Sequence, residues 1–187
     1  MYYGLVHYPD VDRALIDRIR REYDPTVDLI EPHLTVMFLV PDTVGEQELT
    51  VHIESVLEHW EPFPIRLHGF RKSSDHWLLL VLEDGNASVV KLFSDIYTGI
   101  LAKFRRDDIE FIPHVSLGLF VKRPEQYDFK DPQELEFDEP SCQKAVEEAE
   151  ALGMDFRCTV DRLHLVKFTD DVSRIVSSQE FLLDATA

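Results

Sequence analysis

Two short segments of the chain repeat one order of residue types, and this repeat constrains the fold more than any other feature. Residues 32–36 read PHLTV and residues 113–117 read PHVSL, with the two histidines 81 positions apart (114 − 33). Each segment continues as an apolar run rich in β-strand-forming residues, which predicts a strand that begins after the proline. The repeat therefore indicates a duplicated α/β design in which each half contributes one such strand.

The side chains of a β-strand alternate between its two faces, so each repeated segment presents a defined pair of polar groups. His33 and Thr35 share one face of the first strand. His114 and Ser116 share one face of the second, and Gly118 on the same face is expected to leave open space beside them. The opposite faces carry aliphatic residues and are predicted to belong to the core. Each strand thus offers an imidazole and a hydroxyl group to the same side.

The rest of the chain alternates between strand-like and helix-like patterns. It predicts strands at residues 2–8, 32–40, 64–70, 76–83, 111–120, 156–168 and 174–183, and helices at 11–23, 46–60, 87–104 and 141–152. Ser141 is the expected N-cap of the last helix, and Gly153 follows its end. Several connections have hairpin length, which favours antiparallel pairing over a fully parallel sheet.

The segment 123–140 is rich in acidic residues and prolines and has little periodicity, so we interpret it as an acidic surface loop or insertion. No stretch has the composition of a linker between independent domains. We therefore expect residues 1–187 to form a single domain with two lobes.

Composition excludes several classes of protein. Apolar residues make up 44% and no apolar run approaches the roughly 20 residues that span a bilayer, so we expect no membrane association. The start, MYYGLVHYPDVD, lacks the features of a secretory signal, and we expect a cytoplasmic protein with Cys142 and Cys158 reduced. The net charge of −17 opposes binding to long nucleic acid duplexes, which requires phosphate neutralisation by Lys and Arg, but leaves a small anionic ligand possible.

Two imidazoles are suited to acid–base cleavage of a phosphate ester. One must take a proton from the attacking oxygen while the other gives a proton to the leaving oxygen, and histidine titrates near neutral pH. Hydroxyl groups beside them can donate hydrogen bonds to the non-bridging phosphate oxygens. This chemistry requires no metal and no cofactor, and no third or fourth metal ligand is visible near either motif.

The segments PHLTVMFL and PHVSLGLF resemble the paired H-x-T/S-x motifs of the 2H phosphoesterase superfamily, which includes the LigT-like 2′-5′ RNA ligases and cyclic phosphodiesterases. The resemblance implies an α+β fold of two similar lobes, each an antiparallel sheet with outer helices, around a central cleft. It also implies cleavage of 2′,3′-cyclic phosphates or related phosphodiesters of small nucleotides or RNA ends. His33 and His114 would then be the acid–base pair, in either order, with Thr35 and Ser116 on the phosphate.

A phosphate pocket in so acidic a chain is expected to contain basic residues. The candidates for substrate binding are Arg71, Lys72, Lys122, Arg123 and Lys167. Most surface lysines and arginines are simply solvated, so each of these has a structural interpretation as well.

Two other functions are compatible with the same sequence. A protein of this fold could bind nucleotides or RNA ends without turnover, although binding alone does not require two titrating groups. An α/β interaction module with an acidic surface could dock a basic partner, but that interpretation leaves the repeated motif unexplained.

Overall fold

The computed structural model describes residues 1–127 and 135–183. Within these residues there are eight strands and four α-helices. The strands are β1 (Tyr2–His7), β2 (Leu34–Pro41), β3 (Phe63–Lys72), β4 (Trp77–Asp84), β5 (His114–Leu119), β6 (Asp155–Val160), β7 (Arg162–Phe168) and β8 (Ile175–Leu182). The helices are α1 (Arg13–Tyr23), α2 (Glu46–Leu57), α3 (Asn86–Ile96) and α4 (Glu139–Ala151), and none in the described residues is long and apolar enough to cross a bilayer.

All eight strands belong to one antiparallel sheet in the order β6-β3-β4-β5-β2-β1-β7-β8. The sheet consists of two four-stranded halves that meet where β2 pairs with β5, at Leu34 and Val115. The predicted α+β class, with antiparallel pairing in two similar halves, is confirmed. The sheets of the two lobes are, however, joined edge to edge rather than separate.

The sheet curls strongly. β6 and β7 are six positions apart in the strand order, which in a flat sheet would separate them by about 29 Å. Only Asp161 connects them along the chain, and one residue spans less than about 8 Å between its neighbours' Cα atoms. The sheet must therefore bend until the end of β6 approaches the start of β7.

The prediction of one strand over residues 156–168 is wrong because the chain changes direction at Asp161. Val160 and Leu163 are both buried in the main core although they are three positions apart, a spacing that one regular strand cannot place on one face. The Asp161 carbonyl accepts a hydrogen bond from the backbone N–H of Leu183 at 2.8 Å, and its carboxylate binds the side chain of Arg162.

The two faces of the sheet have different coverings. We call the side that packs against the helices the helix face; its core includes Leu5, Val36 and Leu117. Helix α1 of the first half packs against β5 of the second, and α3 of the second half packs against β2 of the first. The two helices therefore cross the junction between the halves in opposite directions.

Gly118 does not leave the open space that the sequence predicts. The pairing of β4 with β5 shifts its register at this position. A Cβ atom on Gly118 would lie 2.5 Å from Cβ of Tyr23 on α1 and 3.0 Å from the Phe120 ring. Glycine is required because α1 packs directly on the strand backbone here.

The predicted helix over residues 87–104 is interrupted after α3 and continues as a 3₁₀-helix at Gly99–Phe104. Nε2 of His52 lies 2.9 Å from the carbonyl oxygen of Ile96, and the Thr98 hydroxyl donates to the carbonyl of Asp95 at 2.7 Å. Gly99 has a φ of +51°, which glycine adopts at little cost. Side chains thus satisfy the last carbonyls of α3 and end it.

Helix α4 begins before the predicted N-cap. Asp138 is the N-cap, and its carboxylate accepts hydrogen bonds from the backbone N–H and the hydroxyl of Ser141 at 3.3 and 2.7 Å. The acidic segment 123–140 also contains a 3₁₀-helix at Pro124–Gln126, and its Phe137 forms an antiparallel bridge with Val121, which precedes the segment. Residues 128–134 of the predicted loop lie outside the described residues.

Candidate active site

The pairing of β2 with β5 brings the two repeated motifs together. The residue after His33 pairs with the residue after His114 in antiparallel register. One step in either direction places Thr35 opposite His114 and Ser116 opposite His33. Directly opposite residues of an antiparallel pair point to the same side with Cβ atoms about 5 Å apart. The four side chains therefore form a compact group in which each histidine lies across from the other motif's hydroxyl, on what we call the histidine face.

Both histidines are oriented by the same local hydrogen bond. Nδ1 of His33 lies 2.8 Å from the carbonyl oxygen of Glu31, and Nδ1 of His114 lies 2.5 Å from that of Ile112. A carbonyl only accepts, so each Nδ1 carries the proton and each Nε2 keeps its lone pair. In both segments a proline with a fixed φ stands between the carbonyl and the histidine and restricts this link. The prolines thus contribute to the site as well as preceding the strands.

Burial lowers the pKa of both imidazoles. The pKa of His33 falls to about 4, chiefly through burial, while the carbonyl of Glu31 opposes the shift and the positive charges of Arg20 and of protonated His114 add to it. Burial also lowers the pKa of His114, while the Ile112 carbonyl and the carboxylate of Asp75 act against it. Both rings are therefore neutral at pH 7 without a ligand.

The two hydroxyl groups are available to a ligand. Thr35 and Ser116 are half-buried. Among residues 1–127 and 135–183, neither side-chain oxygen has a protein hydrogen-bond partner, unlike the Ser141 hydroxyl, which binds Asp138. Each can donate its proton to an anion held between the histidines.

The histidine face continues into the first half with aromatic and charged side chains. The Tyr8 ring lies 6.4 Å from the His33 ring and 5.0 Å from the His164 ring, centroid to centroid. Nε2 of His164 is 3.9 Å from a carboxylate oxygen of Glu180, which also binds Arg162 at 3.0 Å. Sequence reasoning did not assign His164 to the site, because only the strand order places β7 beside β1 and so brings His164 near the motifs.

Of the five predicted basic residues, the structure brings Arg71 to the histidine face. Arg71 pairs with Leu79 of β4, which in turn pairs with Ser116. Two strand spacings, about 10 Å, separate it from that serine. Its guanidinium binds the carboxylate of Glu110 at 2.9 Å.

The other four basic residues are not brought together with the histidines. Lys72 follows Arg71 on the opposite face, where its Nζ lies 3.9 Å from the centroid of the Phe137 ring. Lys167 binds Glu46 at the start of α2, with Nζ 2.7 Å from the carboxylate, also on the helix face. Lys122 and Arg123 are exposed beyond β5, and Lys122 is paired with Glu136.

The clustering of potential metal ligands was compared across the part of the chain that the structure describes. No group of three or more His, Cys, Asp or Glu side chains there is close enough to hold an ion. What the arrangement offers is two imidazole nitrogens with free lone pairs and two free hydroxyl groups on one face, a set suited to proton transfer around a bound anion.

Comparisons with known proteins place the chain in a family. The sequence profile of the 2′-5′ RNA ligase superfamily matches residues 8–172. A Bacillus licheniformis protein provisionally named a phosphoesterase is 24% identical over 133 residues, which cover 68% of this chain and 76% of that protein. A Halalkalibacterium halodurans protein, also provisionally named a phosphoesterase, is 28% identical over 126 residues, covering 63% of this chain and 70% of that protein.

Solved structures show the same fold. The crystal structure of E. coli LigT complexed with NADP+ superposes with a TM-score of 0.56 and 15% identity, covering 98% of each chain. A second crystal structure, described as a phosphoesterase, has a TM-score of 0.55 and 14% identity over 97% of each chain. The chain belongs to the 2′-5′ RNA ligase superfamily, and the resemblance to the 2H phosphoesterases seen in its two motifs is confirmed. This membership supports a phosphoesterase or RNA ligase-like enzyme.

Proposed function

We propose that this protein is a metal-independent phosphoesterase that cleaves 2′,3′-cyclic phosphates or related phosphodiesters of small nucleotides or RNA ends. One observation carries the proposal: antiparallel pairing sets His33 across from Ser116 and His114 across from Thr35, with both Nδ1 atoms bound to carbonyls. A phosphate placed among these four groups would contact two proton-transfer groups and two hydrogen-bond donors.

In hydrolysis, one Nε2 takes a proton from water as the water oxygen forms its bond to phosphorus. The other Nε2, protonated, gives its proton to the ribose oxygen as the bond from that oxygen to phosphorus breaks. Thr35 and Ser116 donate hydrogen bonds to the non-bridging oxygens, on which negative charge develops. An anionic substrate between the rings raises the pKa of both, so one ring takes up a proton as the substrate binds.

The surrounding charges favour His33 as the base and His114 as the acid. The positive charges of Arg20 and of protonated His114 lower the pKa of His33 by more than the negative charge of Asp24 raises it, which keeps its Nε2 free to accept a proton. The negative charge of Asp75 acts in the opposite direction on His114 and favours its protonated form.

The net charge of the chain and its structural similarity to LigT both favour a small nucleotide substrate. The net charge of −17 disfavours long polyanions, whereas a single phosphodiester can be held by local donors. The related LigT fold is known in complex with NADP+, a ligand of nucleotide size.

The test is turnover of the four 2′,3′-cyclic nucleoside monophosphates by the purified protein in the presence of EDTA. We expect wild-type protein to open the cyclic phosphate, and His33→Ala and His114→Ala each to lose activity by about 10²- to 10⁴-fold. His59→Ala, at an exposed position, is the matched control and should keep the wild-type rate. Tight binding of nucleotides without turnover would instead identify a non-catalytic binding protein.

A further inference from the structure

A buried ion pair lies behind the first histidine motif. Arg20 of α1 is 1% exposed, and its Nε donates to Asp24 at 2.8 Å. Its Nη2 donates to the carbonyl of Ile30 at 2.8 Å, and its Nη1 lies 3.4 Å from Asp17. In the described residues, the buried side chains of Asp, Glu, Lys and Arg are these three, Asp17, Arg20 and Asp24. The molecule therefore concentrates its buried charge at one place.

This ion pair is connected to His33 through the intervening loop. Asp24 accepts hydrogen bonds from the backbone N–H and the hydroxyl of Thr26, both at 2.7 Å, which fixes the start of the loop. Arg20 fixes its end through the Ile30 carbonyl. The next carbonyl, that of Glu31, accepts the proton on Nδ1 of His33. One guanidinium thus braces both ends of the loop that orients the imidazole.

Several charged or titratable groups face His33. The positive charge of Arg20 and that of protonated His114 lower its pKa, and the negative charge of Asp24 raises it. The Tyr8 ring is 6.4 Å away and is uncharged at neutral pH, because burial and the nearby Glu31 carboxylate raise its pKa to about 12. The Glu31 carboxylate is itself paired with Arg13.

We propose that Arg20 is a positioning residue for His33: its planar guanidinium holds Asp24 and the Ile30 carbonyl at once, and so fixes the Glu31 carbonyl that orients the imidazole. Arginine suits this role because its fork of N–H donors reaches both partners, whereas lysine has a single nitrogen. Its charge also opposes protonation of the ring. The expected effect of Arg20 on the catalytic rate rests on the proposed function. Its expected effect on the tautomer and pKa of the His33 ring does not.

Three variants separate geometry from charge. Arg20→Lys keeps the charge and loses the fork. Arg20→Met removes both and leaves Asp24 unpaired. Arg20→Met combined with Asp24→Asn removes both opposing charges, and this variant remains useful if Arg20→Met alone does not fold. Arg21→Met, at an exposed position of the same helix, is the matched control.

The first measurement is NMR of the ring nitrogens of His33, with its signals assigned by comparison with His33→Gln. We expect Arg20→Lys to lose the uniform Nδ1–H tautomer while its ring pKa stays near the wild-type value. Arg20→Met should raise that pKa by about one unit. The double variant should lose the tautomer and show a smaller rise, because the removal of Asp24 acts in the opposite direction.

The second measurement is the pH dependence of kcat and kcat/KM on 2′,3′-cyclic AMP. Arg20→Lys should lower kcat about tenfold with little change in KM, since a misplaced base slows the chemical step. Arg20→Met should also move the acidic limb of kcat/KM to higher pH. Wild-type kcat and wild-type ring signals in Arg20→Lys would overturn the inference. If wild type turns over no cyclic phosphate, the proposed function fails, and the ring signals still decide the role of Arg20.

Discussion

The segments before the two histidines end in the same hydrogen bond, but one is held in place by a charged contact and the other by an apolar contact. The first is braced by the buried ion pair of Arg20 and Asp24. The second is anchored by Phe111, whose ring stacks on Phe93 of α3 with centroids 3.8 Å apart and planes inclined by 13°. In both cases the histidine Nδ1 then binds the carbonyl two residues before it.

This difference separates the geometry of the site from its electrostatics. A stack of two phenyl rings positions a loop without adding charge, whereas a guanidinium does both. A buried ion pair is a poor way to gain stability, because desolvation offsets most of the Coulomb attraction. The first half therefore uses a contact with a larger desolvation penalty, but one whose charge also shifts the pKa of its histidine. Such a difference between the halves suits a reaction in which one histidine accepts a proton and the other donates one.

The largest expected effect concerns the histidines as a pair. If the two act in one proton-transfer cycle, the variant with both His33→Ala and His114→Ala should be about as slow as either single variant, near the 10²- to 10⁴-fold loss. Rates on 2′,3′-cyclic AMP for the two single variants and the double variant give the comparison. A loss in the double variant equal to the product of the two single losses would mean that the two histidines act independently.

The next effect is on stability in the first half. Asp24→Ala leaves Arg20 buried without its closest carboxylate and should lower the free energy of unfolding by about 3–5 kcal/mol. Urea denaturation followed by circular dichroism measures the change. Asp28→Ala, an exposed position in the same loop, is the control and should stay within about 0.5 kcal/mol of wild type.

Removal of the corresponding contact in the second half, the Phe111 ring stack, should lower the free energy of unfolding by a smaller amount. Phe111 is half-buried, so Phe111→Ala should lower the free energy of unfolding by about 2 kcal/mol through the lost stack and the cavity. Because no charge is involved, the NMR pKa of His114 should move less than that of His33 does in Arg20→Met. Ile109→Ala, at a position 42% exposed, is the control. A loss larger than that of Asp24→Ala would reverse the comparison.

The smallest effect is on the pH dependence of stability. In the unfolded chain His33 has a pKa near 6.5, and in the folded protein burial holds it at about 4. Between these values the unfolded state binds more protons, so stability rises with pH in this window and is lost as pH falls from 6.5 towards 4. Allowing for the partial exposure of the ring, we expect about 1 kcal/mol from this group.

Urea melts of His33→Gln at pH values from 4.5 to 7 measure this contribution. The variant should show a flatter dependence than wild type, and His59→Gln, an exposed control, should follow the wild-type curve. An unchanged slope in His33→Gln would mean that the ring titrates near its unperturbed pKa in the folded protein.

Much of the fold could be predicted from local patterns. The strands at both motifs, the helices α1 and α2 and the helix-facing side chains follow from periodicity in the sequence, because each pattern is set by neighbours a few positions apart. The end of α3 could not be predicted in this way, since it depends on a hydrogen bond from His52, which lies in another helix. The division of residues 156–168 at Asp161 likewise depends on which distant strands each part joins.

The candidate site likewise depends on contacts between distant elements, which local sequence patterns do not predict. Strand alternation predicts that His33 and Thr35 share a face, but not that the second motif lies on the adjacent strand. The positions of the basic residues relative to the site could not be predicted, because charge alone does not give the face of the sheet. Lys72 and Lys167 instead face the helices, where they contact Phe137 and Glu46. Arg20, inside an ordinary amphipathic helix, gives no sign in the sequence that it is buried.

The junction of β2 with β5 also bears on how the protein acquires its activity. The histidines are separated by 81 positions in the chain (114 − 33), and their strands are paired in register at Leu34 and Val115. Contacts between distant residues form late in folding, because the intervening loop must first be closed at an entropic cost. A partly synthesised or partly folded chain would have helices and hairpins but no second imidazole beside the first. Catalysis would begin only after β2 has paired with β5. On refolding, activity should therefore recover later than the circular dichroism signal of the helices.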